Sequence, residues 1–437
     1  MKALTVLLSA LLNAAPPPAA EQQEDQEEEP FREPARAFEA GLLFDVRFAH
    51  TGETRSFMDG GLGKTRYGSA ENEASRSLLR LSQVSFVADA RFSSTLGAYA
   101  QLNFDAEPDR GDAGERVDLV EAFLRLRFGA GEGNEIRGRA GLYIPPVSLE
   151  HPGKAWSTVY TITPSVINAW VGEEVRSLGG ELTFARTGLE NEISFFGSAF
   201  GGNDPDGSLL AYRGWASHDR QIALADRIPL PPLPSFEEGG IFSAQAPWAE
   251  PVREVDDRPG YSVGATWNHY RRFLINALYY DTRARRDAFD GEQYGWDSRF
   301  YDVGLRLSLG EGASGPELLG QYLAGDSWMG NQEPDLPKVR FDYQAAYSLF
   351  TVPFGRQRVS FRYDWFRTED RDEFRGGDDN DESGYALALD FLLRITDRQR
   401  LALELMRVSS ERPARAAIGL PPEAVEWLIQ ISYRIEL

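Results

Sequence analysis

Arg125 and Arg127 stand two residues apart, and Arg137 and Arg139 repeat that spacing after a glycine-containing turn. In an extended chain, residues two apart share a face, so a hairpin would gather these four guanidinium groups on one wall. Fixed positive charge of that kind can draw small anions and pass them between successive sites. Glu121 and Glu135 fall on the same faces and offer the alternative, ion pairs that only keep the wall hydrated. Arg306, Arg358 and Arg362 sit on later segments with the same alternation. All of these are candidates to line an aqueous pore, provided the segments that carry them close around one.

Other chemistry has little to work with. There is no phosphate-cradling glycine loop or His-Glu-x-x-His pair, and His269 has no serine and carboxylate argued into its reach. Cysteine is absent, which excludes disulfides, thiolate zinc sites and a lipidated cysteine anchor. Four scattered histidines (His50, His151, His218, His269) leave little for a metal cluster. The acidic run "GGDDNDES" at 376–383 lacks the spacing of a calcium loop and reads as a solvated outer loop. No catalytic residue, cofactor or metal is expected. A formal charge of -21, from 67 acidic and 46 basic residues, argues against nucleic acid as a partner.

The elements that position the candidates are strands. Lys2, the apolar run Ala3 to Leu12 and the small residues after it predict a secretory signal peptide over 1–20. "EQQEDQEEEP" carries no apolar payload, so 21–38 is expected to be a disordered acidic periplasmic tail. From about residue 40 the pattern has period two: Val359, Phe361, Tyr363 and Trp365 alternate with Arg358, Ser360, Arg362 and Asp364. Trp427, Ile429, Ile431, Tyr433 and Ile435 do the same near the end, as do Val120, Ala122, Leu124, Leu126 and Phe128.

About sixteen such segments cover roughly 41–49, 78–90, 95–105, 117–129, 134–143, 175–186, 190–200, 260–269, 273–281, 298–309, 317–327, 341–352, 356–367, 384–395, 399–409 and 426–437. Each is close to the ~9–11 residues of a tilted membrane-crossing strand. Connections alternate between short ("TGLE", "YRR", "PFG", "TDR") and long, the longest being about 144–174 and 201–259. That asymmetry predicts an all-β transmembrane antiparallel β-barrel over 39–437, with short periplasmic turns and long outer loops, in the outer membrane of a Gram-negative bacterium. Aromatics near the inferred strand ends, among them Trp170, Trp215, Trp267, Tyr270, Tyr280, Trp296, Tyr301, Tyr343 and Trp427, are candidates for headgroup girdles or for packing loops together.

The segments "GLYIPPVSLEHPG", "TPSVINAWVGEEVRSLGGEL", "YRGWASHDRQ", "DDRPGY" and "YYDTRA" resemble bacterial porins of the phosphate-selective O and P type, from about Leu78 onward. The resemblance implies sixteen strands, a homotrimer and a third outer loop folded into the lumen as a constriction, here about 144–174. Glu150, His151, Lys154, Glu173, Glu174 and Arg176 then become candidates to set the field there. The chain departs from the phosphate-selective members in its scarcity of lysine, since Lys64, Lys154 and Lys338 are the only ones after the signal.

The expected function is passive diffusion of small hydrophilic solutes, with weak anion preference, through a barrel bedded in outer-membrane lipid and lipopolysaccharide. The alternative is a barrel scaffold or adhesin whose long outer loops bind a partner. The loop at 201–259, with "YRGWASHDRQ", is expected to fold back in part over the pore mouth.

Overall fold

Alternating residues become sixteen barrel strands in the computed structural model, which describes residues 37–69, 74–104, 117–270, 272–310, 315–330, 338–372 and 379–437. The first seven are β1 (Ala37–Thr51), β2 (Arg76–Arg91), β3 (Leu96–Phe104), β4 (Val117–Gly129), β5 (Asn134–Tyr143), β6 (Ser177–Thr187) and β7 (Asn191–Gly201). Then come β8 (Gly260–His269), β9 (Phe273–Asp281), β10 (Asp297–Ser308), β11 (Glu317–Gly330) and β12 (Lys338–Phe354). The last four are β13 (Gln357–Asp370), β14 (Glu382–Thr396), β15 (Gln399–Glu411) and β16 (Glu423–Glu436).

Each strand pairs antiparallel with its sequence neighbours, and β16 closes on β1 from Leu43 opposite Glu436 to Thr51 opposite Leu428. The signal peptide and nearly all of the acidic tail lie outside the described residues; Ala37 and Phe38, assigned to the tail by sequence, begin β1.

Among the described residues no helix is long and apolar enough to cross a membrane, and the crossing is made by strands. Leu124, Phe128, Leu182, Phe195, Val303, Phe361 and Leu389 are exposed on the outer wall, where an apolar belt meets lipid. Between them Arg47, Ser360, Arg362, Asp364, Asp390 and Glu404 point inward and are fully buried.

Apart from the shift between Arg394 and Thr396 beside the β14–β15 turn, two register shifts interrupt the alternation. One lies between Asp45 and Val46 of β1, opposite Ser82 on β2, and the other between Gln101 and Leu102 of β3, opposite Val120 on β4. An extra residue in one strand turns consecutive side chains to one side. Val120, expected on the lipid face, is therefore fully buried.

Sixteen strands enclose a channel too wide for wall side chains to fill, and here three connections turn inward to occupy it. The loop after β1 sends Phe57, Met58 and Lys64 inside; the loop after β5 forms α1 (Val166–Glu174); the loop after β7 forms α2 (Ser208–Tyr212). Trp170 of α1 meets Trp215, Phe300 and Tyr343 edge-on at 5.2–5.9 Å between ring centroids. Trp170, Trp215, Tyr280, Trp296 and Tyr343 thus pack loops against the inner wall, whereas Trp267, Tyr270, Tyr301 and Trp427 are exposed as girdle residues.

Candidate functional site: the lumen and its inward loops

Gly141 opens the third loop with φ 140°, a conformation that suits glycine, and a Cβ there would collide with the Ala122 carbonyl. The chain then crosses the barrel. Ile144 N–H donates to Glu121 on the near wall at 2.9 Å, while Thr163 N–H and Oγ1–H donate to Glu404 on the far wall at 2.9 and 2.7 Å. Ile162 N–H donates to Glu404 at 3.1 Å, and Gln430 Nε2 donates to Thr163 Oγ1 at 3.0 Å.

α1 follows at once because its first turn is supplied with acceptors. Ser165 Oγ accepts from Asn168 N–H, Glu150 accepts from Ser165 N–H at 3.0 Å, and Asp364 accepts from Val166 N–H at 3.1 Å. Carboxylates at a helix N-terminus also complement its dipole. The other end is capped by Arg176, whose guanidinium donates to the carbonyls of Val171, Val175 and Gly172 at 2.9–3.2 Å, and to Ile222 at 2.8 Å.

These contacts correct the expectation for the constriction residues. Glu150, Glu173, Glu174 and Arg176 are fully buried against protein groups and do not front a water-filled eyelet. Against burial, which pushes it up, Arg213 and His218 hold the Glu173 carboxyl well below the usual range. Burial raises Glu174 to about 7, although it accepts from Gly207 and Leu209 N–H at 2.8 and 2.9 Å and from the Trp170 indole at 2.6 Å.

His151 lies flat on Trp156, with ring centroids 3.6 Å apart, and burial drops it to about 3, so it stays neutral. Lys154 reaches the backbone oxygen of Leu437 at 3.4 Å, which brings the tip of this loop to the strand ends on the turn side.

The loop after β7 also enters. Tyr212, Arg213, Trp215 and His218 of "YRGWASHDRQ" are buried beside α1 and the loop after β1. Ile222 N–H donates to Gly172 at 2.9 Å and Leu224 N–H to Leu119 at 2.8 Å, so the segment passes from α1 to the loop-side end of β4. Asp219 bridges Arg47 of the wall at 2.7 Å and Arg66 of the first loop at 3.1 Å.

Buried carboxylates make this packing depend on pH. Asp206 has both carboxylate oxygens buried without a partner; burial, with the Glu174 charge beside it, raises it well above its ordinary range. A carboxyl raised in the folded state adds stability when protonated, and that contribution is lost as pH rises through the folded value. We expect amide exchange over 205–215, corrected for intrinsic rates, to accelerate from pH 5 to pH 8. Asp206→Asn should slow exchange at pH 8 and flatten the dependence; identical profiles would count against this assignment.

The four arginines sit together on the lumenal wall of β4 and β5, Arg125 opposite Arg139 and Arg127 opposite Arg137. They do not form a patch of net positive charge. Arg125 pairs with Asp89, Arg127 with Glu135, Arg137 with Glu135 at 2.6 Å and Glu192 at 2.9 Å, and Arg139 with Glu181 at 2.8 Å. Four guanidinium groups therefore face four carboxylates. Glu121, expected among their partners, accepts from Ile144 instead.

Across the lumen, Arg306 lies beside the Tyr160 hydroxyl, and Arg358 stands over the same ring at 5.2 Å with Glu317 at 3.7 Å. Arg362 is fully buried between Asp364 at 2.7 Å and the Thr163 carbonyl. Asp89, Glu181 and Glu192 escaped sequence reasoning because their proximity to the arginines depends on strand register. Asp204, Glu254 and Asp256 bring carboxylate oxygens within 4.8 Å of one another on the loop side, but Asp204 and Glu254 already accept backbone N–H groups.

No protein-family model matches the sequence, and no curated protein matches it. By structure the chain is similar to the outer membrane channel DcaP of Acinetobacter baumannii, with 8% identity, 92% of this chain and 97% of that one covered, and TM-score 0.53. It is also similar to OprB of Pseudomonas putida, with 9% identity, 92% and 94% covered, and TM-score 0.50. The fold is that of an outer-membrane porin. Within this porin fold the inward loops are anchored by the buried carboxylates described above.

Proposed function

We propose that the protein is an outer-membrane channel of narrow bore for small hydrophilic solutes. The observation that carries this reading is the lumenal wall below the loops. There Arg125, Arg127 and Arg137 keep two fifths or more of their side-chain surface exposed inside a closed barrel. Charged groups left facing a barrel interior serve water and dissolved solutes. Above that wall the loops narrow the passage, so field and size limit transit and no turnover is involved.

A homotrimer in lipid and lipopolysaccharide is the assembly this reading carries. The likeness to phosphate-selective porins rests on the quoted segments, and the four-to-four balance on the wall removes the net charge that the anion track required. A second reading, a scaffold whose outer loops bind a partner, is favoured by the same filled lumen, since a plugged barrel needs no solute.

Planar-bilayer reversal potentials in a salt gradient test the first reading. The wild type should show little ion preference. Replacing Arg125, Arg127, Arg137 and Arg139 by Ala leaves their carboxylate partners unopposed, and should turn the channel clearly cation-preferring, most strongly at low salt. A wild type strongly selective for anions would restore the arginine track, and absence of any current would favour the scaffold.

A further inference from the structure

Arginines on the outward face of the loop-side wall are not all treated alike. Arg299 of β10 and Arg367 of β13 each hold a carboxylate, Asp326 at 2.8 Å and Glu369 at 2.5 Å. Arg407 of β15 holds none among the described residues. Its outward course follows from the alternation, with Glu404, Met406 and Val408 buried inside and Leu405 exposed. Arg407 stands opposite Leu387 of β14 and the girdle residue Trp427 of β16, four residues from the loop-side end of its strand at Glu411. That level is where lipid headgroups meet the barrel. A charge deeper in the same apolar wall would be costly, and here it lies within reach of polar lipid atoms.

The guanidinium is positioned but its charge is not answered. Arg407 Nη1 donates to the Tyr385 hydroxyl at 2.7 Å, and the cation lies 5.5 Å from that ring's centroid and 5.7 Å from that of Trp427. Nε and Nη2 meet no acceptor among the described residues. This free edge carries two parallel N–H groups, the arrangement that matches two oxygens of one phosphate.

An apolar groove of about 160 Å³ adjoins Arg407 on the outer wall, between Phe361 of β13 and Trp427 of β16. Leu387, Leu389 and Leu405 line it. Phe361 stands opposite Leu389 and Leu389 opposite Leu405, in a row two residues nearer the turns than Leu387, Arg407 and Trp427. The cation therefore caps the headgroup end of a groove that continues toward the membrane interior. A second copy of the chain would have to bring a carboxylate into an apolar wall to match it. A phosphorylated lipid brings the anion and the apolar chain in one molecule, and on the loop side that lipid belongs to the outer leaflet.

We propose that Arg407 and this groove bind one molecule of lipid A, the phosphorylated and acylated base of lipopolysaccharide. A phosphate lies on Nε and Nη2, and one acyl chain runs along Leu389 and Leu405. The site needs the barrel in its membrane and does not depend on conduction.

The test uses the intact protein in detergent, with phosphorylated lipid A and the same lipid stripped of its phosphates as probes in native mass spectrometry. One phosphorylated lipid A should stay on each chain after the detergent is removed, and the stripped lipid should bind at least about tenfold more weakly. Arg407→Gln should weaken the phosphorylated lipid by a similar factor. Arg407→Lys, which keeps the charge without the two-pronged edge, should fall between. Leu405→Phe fills the groove and should weaken binding several-fold with the charge intact. Arg299→Gln, whose arginine already holds Asp326, should leave binding unchanged. Heat-modifiable migration on gels verifies that each variant is folded. No retained lipid A, equal retention of the stripped lipid, or indifference to Arg407→Gln would overturn the proposal. Loss of oligomers in Arg407→Gln with lipid A still bound would assign the face to a second copy instead. Phospholipid in place of lipid A on protein extracted from outer membranes would overturn the choice of lipid.

Discussion

Removal of residues 423–437 is expected to abolish the folded barrel outright. β16 supplies the seam with β1, nine residue pairs from Leu43–Glu436 to Thr51–Leu428, and pairs on its other side with all of β15 from Gln399 to Glu411. Without it, two strand edges face lipid with their N–H and C=O groups unpaired. Each such group costs several kcal/mol in hydrocarbon, and the sum exceeds the ~5–15 kcal/mol that holds a typical domain together. The truncated chain should give no SDS-resistant, heat-modifiable species from detergent refolding. A truncated chain that still resists SDS would contradict the closed barrel.

The second large effect concerns the hold of the third loop on the far wall. Glu404 accepts from Ile162 N–H, Thr163 N–H, Thr163 Oγ1–H and Gln430 Nε2, and Asp364 accepts from Val166 N–H and Arg362. A double replacement, Glu404→Ala with Asp364→Ala, leaves the buried Thr163 and Val166 N–H groups and the Arg362 guanidinium without these acceptors, while Ile162 N–H keeps Asp390 at 3.2 Å. At roughly 1–3 kcal/mol for each unsatisfied group, more for the charge, the inward fold should be lost while the strand ladder persists. Liposome-swelling rates with sugars should rise several-fold, and amides of 160–170 should lose exchange protection. Unchanged permeation with full protection would show that the loop is held by its apolar contacts around Trp170 alone.

Much of the architecture was legible in the sequence because a strand's two faces meet different solvents. Phe361 and Tyr363 face lipid, while Ser360, Arg362 and Asp364 face inward, as their alternation requires. The failures have physical causes. Val120 is off its expected face because a bulge adds a residue, and nothing in a single strand's pattern announces its partner's register. The arginines of β4 and β5 were found, but Asp89, Glu181 and Glu192 belong to β2, β6 and β7, and become neighbours only through lateral pairing.

The inward fold of the loops was legible only in part. "YRGWASHDRQ" shows an apolar and charged mixture unlike a solvated loop, but its course beside α1 depends on carboxylates more than 150 residues away, such as Glu382, which accepts from Trp215 N–H at 2.8 Å. Glu150 and Arg176 looked like charges for an eyelet because sequence shows charge and not burial. In the structure they cap the two ends of α1.

The central claim is that a sixteen-strand barrel carries solutes through a passage set by loops held inside it. Single-channel recording of the intact protein in planar bilayers, in molar potassium chloride, tests this most directly. Discrete steps are predicted, several-fold smaller than those of the Glu404→Ala, Asp364→Ala double variant under the same conditions. Silence from both proteins would contradict the channel, and wild-type steps as large as the variant's would contradict the part assigned to the loops.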